Sequence, residues 1–464
     1  MTMARLHAAE IAAAVGGTLV SGDGEAVFES FGLDSRTIES GGLFFAVMAE
    51  RDGHDFVPAA AARGAAGAVI SHDIAVSDAS FVLIRVKDTI AALQELARRV
   101  LAAHPAKVVG ITGSVGKTTT KEFVAALLGT AYRVHKSEAN LNNHLGLALS
   151  ILRLDADRQV AVLEMGMSGR GEIRRLAEIA PPDVAVVTNV APVHLAFLGT
   201  LDAVGEAKAE IIDGLKPGGT AVLNADEAWG KTLAKKVRGK VIFFGFGKDA
   251  DVRASDLEYL GYDGLRFRLD YDGTSRDLHL PFLTEGTVYN LLAALGAARA
   301  FGLRWDVLEP ALAGLGPAAK RGRIIRLGGG IVIIDDTYNS SPQALAMALR
   351  GYAHLPAGRR VAVLGDMLEL GAEEKHYHLD AGRTARRLGW DIVAAVGPRG
   401  RWIAEGAKAE GLAADRAFEF ASGEEAAKKI PEMLRLGDLV LIKGSRGVRM
   451  ERIVERLIAA FKES

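Results

Sequence analysis

Seven consecutive residues, Gly113-Ser114-Val115-Gly116-Lys117-Thr118-Thr119, are of the types needed to hold the phosphates of a nucleoside triphosphate. Glycines allow a tight backbone turn that aims several N–H groups at phosphate oxygens. Lys117 brings a cation for the β- and γ-phosphates, and Thr118 a hydroxyl for Mg2+. The strict eight-residue pattern asks for glycine at position 111, where this chain has Ile111, so Gly113 is expected to make the turn. The bland alternative is an ordinary glycine-rich turn that happens to contain Lys-Thr. An apolar run before it (Val108 to Thr112) and a helical pattern after it (Lys117 to Leu128) favour phosphate binding, with the helix adding its positive dipole end.

Other groups able to do chemistry follow at strand ends. Glu164 closes the β-rich run Val160 to Leu163, where a carboxylate can ligate Mg2+ directly or through water. Taken alone, a helix-capping or solvated Glu164 is an equally good reading. His194 ends Thr188-Asn189-Val190-Ala191-Pro192-Val193-His194 after the run Val184 to Val187, ahead of a helix carrying Glu206, Lys208 and Glu210. An isolated histidine is usually structural, and Lys208 by itself would be an unremarkable helix residue.

The elements that must position these groups form an α/β pattern. Residues 1–105 read as a small N-terminal unit, with helices at Ala8 to Val15, Phe56 to Arg63 and Thr89 to Ala103 and short strands between them. Residues 106–316 alternate strand and helix in the manner of a mainly parallel sheet. Within them, 252–280 alternates like antiparallel strands with turns at Asp263-Gly264 and Asp272-Gly273, and a helix follows at Tyr289 to Phe301. Beyond Gly314-Leu315-Gly316-Pro317 the rhythm restarts in 317–464, with strands at Ile331 to Ile334, Arg360 to Leu364, Ile392 to Val396 and Leu439 to Ile442. Four strands with helices between them predict a Rossmann-like unit. The fold class expected is therefore α/β in three domains: an N-terminal substrate domain, a central P-loop domain and a C-terminal Rossmann-like domain.

Bulk properties agree. The chain has 464 residues, enough for about three domains of roughly 150 residues. Its 49% hydrophobic and 24% charged residues describe an ordinary globular protein, and a net charge of −1 offers no bulk attraction to nucleic acid or membrane surfaces. Zero cysteines exclude a disulfide framework, thiol catalysis and Cys-ligated zinc. The N-terminal apolar stretch Ile11 to Val15 is too short for a signal peptide or a membrane span. A cytoplasmic, monomeric protein is expected.

Taken as an ordered set, the motifs stop being generic. They include Asp34-Ser35-Arg36 and Asp52-Gly53-His54-Asp55-Phe56, the phosphate loop, Asn140-Leu141-Asn142-Asn143-His144-Leu145-Gly146, Glu164-Met165-Gly166 and Ala207-Lys208-Ala209-Glu210-Ile211. Gly322-Arg323, Asp335-Asp336-Thr337-Tyr338-Asn339, Leu364-Gly365-Asp366-Met367-Leu368-Glu369-Leu370-Gly371 and Lys443-Gly444-Ser445-Arg446 complete it. Across essentially the whole chain this set resembles the Mur ligases, ATP-dependent amino-acid-adding enzymes of peptidoglycan synthesis. The Leu364-to-Gly371 run favours the branch that adds D-alanyl-D-alanine to UDP-N-acetylmuramoyl-tripeptide, and the Asp-Asn-Pro-Arg string of the diaminopimelate- or lysine-adding branch is absent.

The resemblance implies a role for each residue. Thr118 and Glu164 would hold one Mg2+, and His194 and Lys208 would serve a second, with Lys208 carbamylated by CO2. Lys117, His194 and Lys208 would be the catalytic set. Asn290, Arg323, Asp336 and Asn339 would join residues 113–119 in binding ATP. Asp34, Ser35 and Arg36 would take the uridine diphosphate end of the substrate, with Asn140, Asn142, Asn143, Lys443 and Arg446 as further substrate contacts. Two departures touch the adenine side. Gly286 and Thr287 stand where the family usually has His-Asn, and Ser340-Ser341 interrupt its Tyr-Asn-Ala-Asn-Pro pattern. Rival readings are weaker. Folate-adding ligases generally lack a uridine-binding first domain, and a GTPase switch needs an Asn-Lys-x-Asp-type loop that is missing. A non-catalytic sugar-nucleotide binder would not need Lys117, Thr118, Glu164, His194 and Lys208 together.

Overall fold

The computed structural model describes residues 5–76, 78–138, 141–316 and 320–461. Three large sheets follow one another along the chain. The first has five strands in the order Thr18–Ser21, Val82–Arg85, Gly67–Ile70, Leu43–Phe45, Phe31–Gly32, parallel except for the first pair. Its closing helix, Thr89–Ala103, is started by Asp88, whose carboxylate accepts from Ile90 N and Ala91 N at 2.8 and 3.0 Å. Such a cap contributes about 1 kcal/mol. The helix buries Ala92, Leu93, Leu96, Ala97 and Leu101, a spacing that defines one face. That face packs on the central helix His144–Leu152, so the first two sheets share apolar packing.

The central sheet has nine strands. From one edge they run Thr274–Leu280, Leu265–Tyr271, Val252–Tyr259, Lys240–Gly245, Thr220–Asn224, Val184–Val187, Lys107–Thr112, Val160–Glu164 and Val134–Lys136. The first three strands pair antiparallel with one another in turn, and every other pairing is parallel. The turn between the first two strands is Asp272-Gly273, both at positive φ (51° and 71°), as a two-residue hairpin requires. Parallel strands covered on both faces read as continuous apolar runs. Accordingly Val108 packs with Leu147, Ile173 and Val204 on one side, and Val109 and Ile111 pack with Phe123, Val124 and Leu291 on the other.

The third sheet has six strands in the order Arg323–Arg326, Val332–Asp336, Asp438–Lys443, Arg359–Gly365, Ile392–Val396, Ala417–Phe420. Only the first is antiparallel. The four inner strands are those expected from the sequence. Arg323–Arg326 and Ala417–Phe420, which the sequence pattern did not announce, are short edge strands with polar faces, as is Val134–Lys136 in the central sheet. Among the described residues no helix is long and apolar enough to cross a membrane.

Candidate active site

The phosphate loop leaves Lys107–Thr112, a strand flanked by Val160–Glu164 on one side and Val184–Val187 on the other. Register places Glu164 beside Ile111 and Val187 beside Thr112, so three strands end together at one carboxyl edge. That edge is where ligands bind in open parallel sheets. Ile111 is a fully buried strand residue, and the turn is made by Gly113 at φ 147°. A Cβ there would lie 1.8 Å from Thr188 Oγ1, so only glycine fits. Gly116 (φ 89°) is equally confined, since a Cβ would come within 2.1 Å of Asn290 Oδ1.

A second loop braces the first. Thr188 Oγ1 and Asn189 Nδ2 donate to Val115 O (2.6 and 2.9 Å), Val115 N donates to Asn189 Oδ1 (2.8 Å), and Ser114 Oγ donates to Ala191 O (2.9 Å). The loop is thus preformed, with Thr119 also on the cleft wall. Lys117 Nζ folds back onto Gly113 O at 2.7 Å. Burial lowers the Lys117 pKa; the nearby Glu164 carboxylate opposes that and Arg321 reinforces it. An ammonium so poorly solvated gains by meeting a phosphate.

Thr118 Oγ1 donates to Glu164 Oε2 at 2.8 Å, and Asn142 Nδ2 donates to Glu164 Oε1 at 2.9 Å. An oxygen-only donor set with a buried carboxylate fits Mg2+. Asn143 reaches the cleft too, while its side chain caps the helix His144–Leu152 through Leu145 N and Gly146 N. His194 lines the cleft with Nδ1 2.5 Å from Glu369 Oε2. Burial lowers the His194 pKa, the Glu369 carboxylate acts against this, and the Lys117 and Lys208 charges add to it. Lys208, on the helix Leu201–Asp213, is 1% exposed and does not open onto the cleft. Among the described residues it has no ion-pair partner, and burial with the Lys117 charge drives its pKa well down. An unmodified ammonium and an imidazole make a poor Mg2+ site; a carbamate in place of the ammonium makes a good one. Glu210, on the same helix, caps Glu172–Ile179 instead, accepting from Gly171 N and Arg174 N (2.8 and 3.0 Å).

The third domain supplies the opposite wall of a cavity of about 660 Å³. Asp336, Asn339, Lys443 and Arg446 all line it. Lys443 Nζ donates to Asp336 Oδ2 (2.8 Å) and Asn339 O (3.0 Å), and its charge holds down an Asp336 pKa that burial raises. Asn290 lines the cleft from the central domain and accepts from Thr120 Oγ1 at 3.3 Å. Gly286 and Thr287 border the same space, with Thr287 Oγ1 bonded to Thr284 Oγ1 at 3.0 Å.

One residue expected on the ATP side sits away from the cleft. Arg323 opens the edge strand Arg323–Arg326, is exposed and does not line the cleft. Arg321, two residues earlier, does: its Nη2 donates to Thr118 Oγ1 at 3.0 Å, and its guanidinium lies 4.1 Å from the Tyr338 ring centre. The backbone turns between them, with Gly322 at φ 82°, so Arg323 enters the strand opposite Asp335 while Arg321 stays in the turn beside the cleft.

Asp34, Ser35 and Arg36 follow the strand Phe31–Gly32 and lie apart from this cleft. Arg36 Nε and Nη2 clasp Asp34 at 2.9 and 2.7 Å, and these bonds pull the Asp34 carboxyl down to about 2. Asn140 lies outside the described residues. The Asp52-to-Phe56 motif is architectural. His54 Nδ1 meets Asp52 Oδ1 (2.6 Å) and its Nε2 accepts from Ser71 N (2.8 Å), which leaves no lone pair free for a metal.

Sequence reasoning did not single out Asn189, Asp226, Glu227, Tyr289, Arg321 or Glu369, which also line the cleft. Asp226 accepts from Phe246 N, Gly247 N and Tyr289 Oη at 2.6 to 2.8 Å. Glu227 accepts from Val190 N at 2.9 Å, and burial raises its pKa. Their signal was the strand Thr220–Asn224 just before them, whose polar ends hid it.

Comparison with known proteins agrees with this architecture. Family models match residues 28–100 (Mur ligase family, catalytic domain), 111–298 (Mur ligase middle domain) and 320–446 (Mur ligase, glutamate ligase domain). A UDP-N-acetylmuramoyl-tripeptide–D-alanyl-D-alanine ligase of Bacillus subtilis (strain 168) is 37% identical over 451 residues, 97% of each chain. The crystal structure of MurF from Acinetobacter baumannii superposes with a TM-score of 0.90 at 29% identity, covering 98% of this chain and 99% of that one. MurF ligase from Thermotoga maritima, solved in complex with ADP, gives 0.81 at 33% identity, over 93% and 97% of the two chains. The chain belongs to the Mur ligase family, in its UDP-N-acetylmuramoyl-tripeptide–D-alanyl-D-alanine ligase group.

Proposed function

We propose that this cleft joins D-alanyl-D-alanine to UDP-N-acetylmuramoyl-tripeptide at the cost of ATP, by way of an acyl phosphate. The observation that carries the reading is the Thr118 hydroxyl, bonded at once to the Glu164 carboxylate and to Arg321 of the third domain. It brings phosphate loop, acid and cation to one point.

The terminal carboxylate of the tripeptide attacks the γ-phosphorus of ATP, and ADP leaves. Lys117 turns from Gly113 O to the phosphates, and Arg321 adds a second cation where negative charge gathers. The amine of the dipeptide then attacks the acyl carbon, a proton is lost, and phosphate departs. Thr118 with Glu164 would hold one Mg2+ and His194 with carbamylated Lys208 a second; bound there, the ions supply positive charge to the phosphoryl oxygens. The carbamate forms when the neutral Lys208 amine adds to CO2 with loss of a proton. Burial supports this by lowering the Lys208 pKa, which favours the neutral amine.

Asp336, Asn339 and Asn290 would bind the nucleoside end of ATP. Lys443, Arg446, Asn142 and Asn143 would orient the peptide, and Asp34, Ser35 and Arg36 the uridine diphosphate. The central and third domains, 106–316 and 317–464, would enclose the acyl phosphate, which water would otherwise hydrolyse, while domain 1–105 would hold the far end of the substrate. The reaction is assigned to the cytoplasm, where ATP is available, and to a monomer.

Phosphate release from ATP, measured with UDP-N-acetylmuramoyl-tripeptide in the presence and absence of D-alanyl-D-alanine, tests the reading. Turnover is expected only when both are present. Turnover indifferent to the dipeptide would overturn the acceptor assignment and leave the ligase class standing.

A further inference from the structure

His194 and Glu369 belong to different domains, yet each holds its partner in place. Both have left-handed backbone, φ 56° and 65°, a conformation that non-glycine residues adopt only where the surroundings impose it. The surroundings are mutual. Ala196 N donates to Glu369 O at 3.0 Å, and Gly371 lies so near that a Cβ on it would be 3.2 Å from Ala196 Cα. Between the side chains, His194 Nδ1 stands 2.5 Å from Glu369 Oε2. An ionised carboxylate can only accept, so Nδ1 carries the proton and Nε2 keeps its lone pair. His194 lines the cleft, so that lone pair is the one available to a ligand there.

We propose that Glu369 is a positioning residue for the ligation reaction, a third-domain carboxylate that fixes the tautomer and orientation of His194 so that Nε2 can ligate the second metal. This inference rests on the reading of His194 as a metal ligand. Carboxylates behind metal-bound histidines act in this way elsewhere in proteins, and their loss typically costs about 10–100-fold in metal affinity or activity. Here the carboxylate arrives from another domain. The metal site is therefore completed only while the third domain is docked, and a docked third domain is what the acyl phosphate needs for protection from water.

The test uses the full chain with ring-15N-labelled histidine, first without metal. The wild-type spectrum is expected to show His194, assigned by loss of its signal in His194→Ala, as the Nδ1–H tautomer. In Glu369→Ala the ring should become a mixture; in Glu369→Gln, whose amide oxygen still accepts, the tautomer should persist. In phosphate-release assays, Glu369→Ala should need about 10–100-fold more Mg2+ for half-maximal rate. Its KM for ATP at saturating Mg2+ should stay unchanged, and Glu369→Gln should fall between. Glu369→Ala with the wild-type tautomer and wild-type Mg2+ dependence would overturn the inference alone, provided His194→Ala is impaired. Unimpaired His194→Ala would overturn it together with the metal reading beneath it.

Discussion

The hydroxyl of Thr118 lies between a carboxylate on the neighbouring strand and a guanidinium from another domain. Neither partner is near it in sequence, and each can be removed separately. Glu164→Ala should reduce product formation at least about 100-fold, on the scale of losing one preorganised electrostatic contact at a reacting phosphate. Near-normal turnover by that variant would remove Glu164 from the metal site. Lys208→Ala should be inactive and recover in part with added short carboxylic acids, which restore the missing oxygens; no recovery at any concentration would count against the carbamate. Residue types were legible in the chain wherever a motif is contiguous, as in residues 113–119. Arg321 and Glu369 were not singled out, because their value comes from a fold that brings them 203 and 175 positions back to Thr118 and His194.

Elements explain why the site is rigid. The phosphate loop is tied to Thr188 and Asn189 in the loop that follows the next strand, and Gly113 leaves no room for a side chain beside Thr188. Gly113→Ala should leave the circular dichroism of the protein intact while abolishing measurable ATP binding by calorimetry. Wild-type affinity in that variant would show that the loop is looser than described. In the third sheet, Arg359 clasps the almost fully buried Asp438 through two bonds, at 2.9 and 2.6 Å. Asp438→Ala leaves a poorly solvated guanidinium and should destabilise the third domain by roughly 3–5 kcal/mol in urea unfolding. A loss under about 1 kcal/mol would mean that the pair is hydrated. The inner strands were readable as apolar runs because both their faces are covered. Edge strands such as Arg323–Arg326 were not, since one side meets solvent and polar residues interrupt the run.

At the scale of the molecule, the protein is an ATP-dependent ligase whose cleft is shared between its central and third domains. Ligands gripped by both walls must stabilise both. A non-hydrolysable ATP analogue at about 100 times its Kd should add about 2.7 kcal/mol to unfolding. The shift should appear in probes of the central and third domains alike. A shift confined to the central domain would mean that Asp336 and Asn339 do not touch the nucleotide. The sequence made three units visible through the restart of strand and helix after residue 316, but which loops face one another across the cleft depends on packing that no local pattern records.

The division of the cleft has a consequence for the chain while it is being made. On the ribosome, Thr118 emerges 203 residues ahead of Arg321, and His194 emerges 175 residues ahead of Glu369. Domains fold as they appear, N-terminal first. A nascent chain can therefore finish its nucleotide floor long before any roof exists, and in that interval it lacks the groups that bring acid, cation and histidine to their working positions. A prematurely terminated polypeptide is therefore expected to carry the phosphate loop and His194 while lacking Arg321 and Glu369, the partners that complete the cleft.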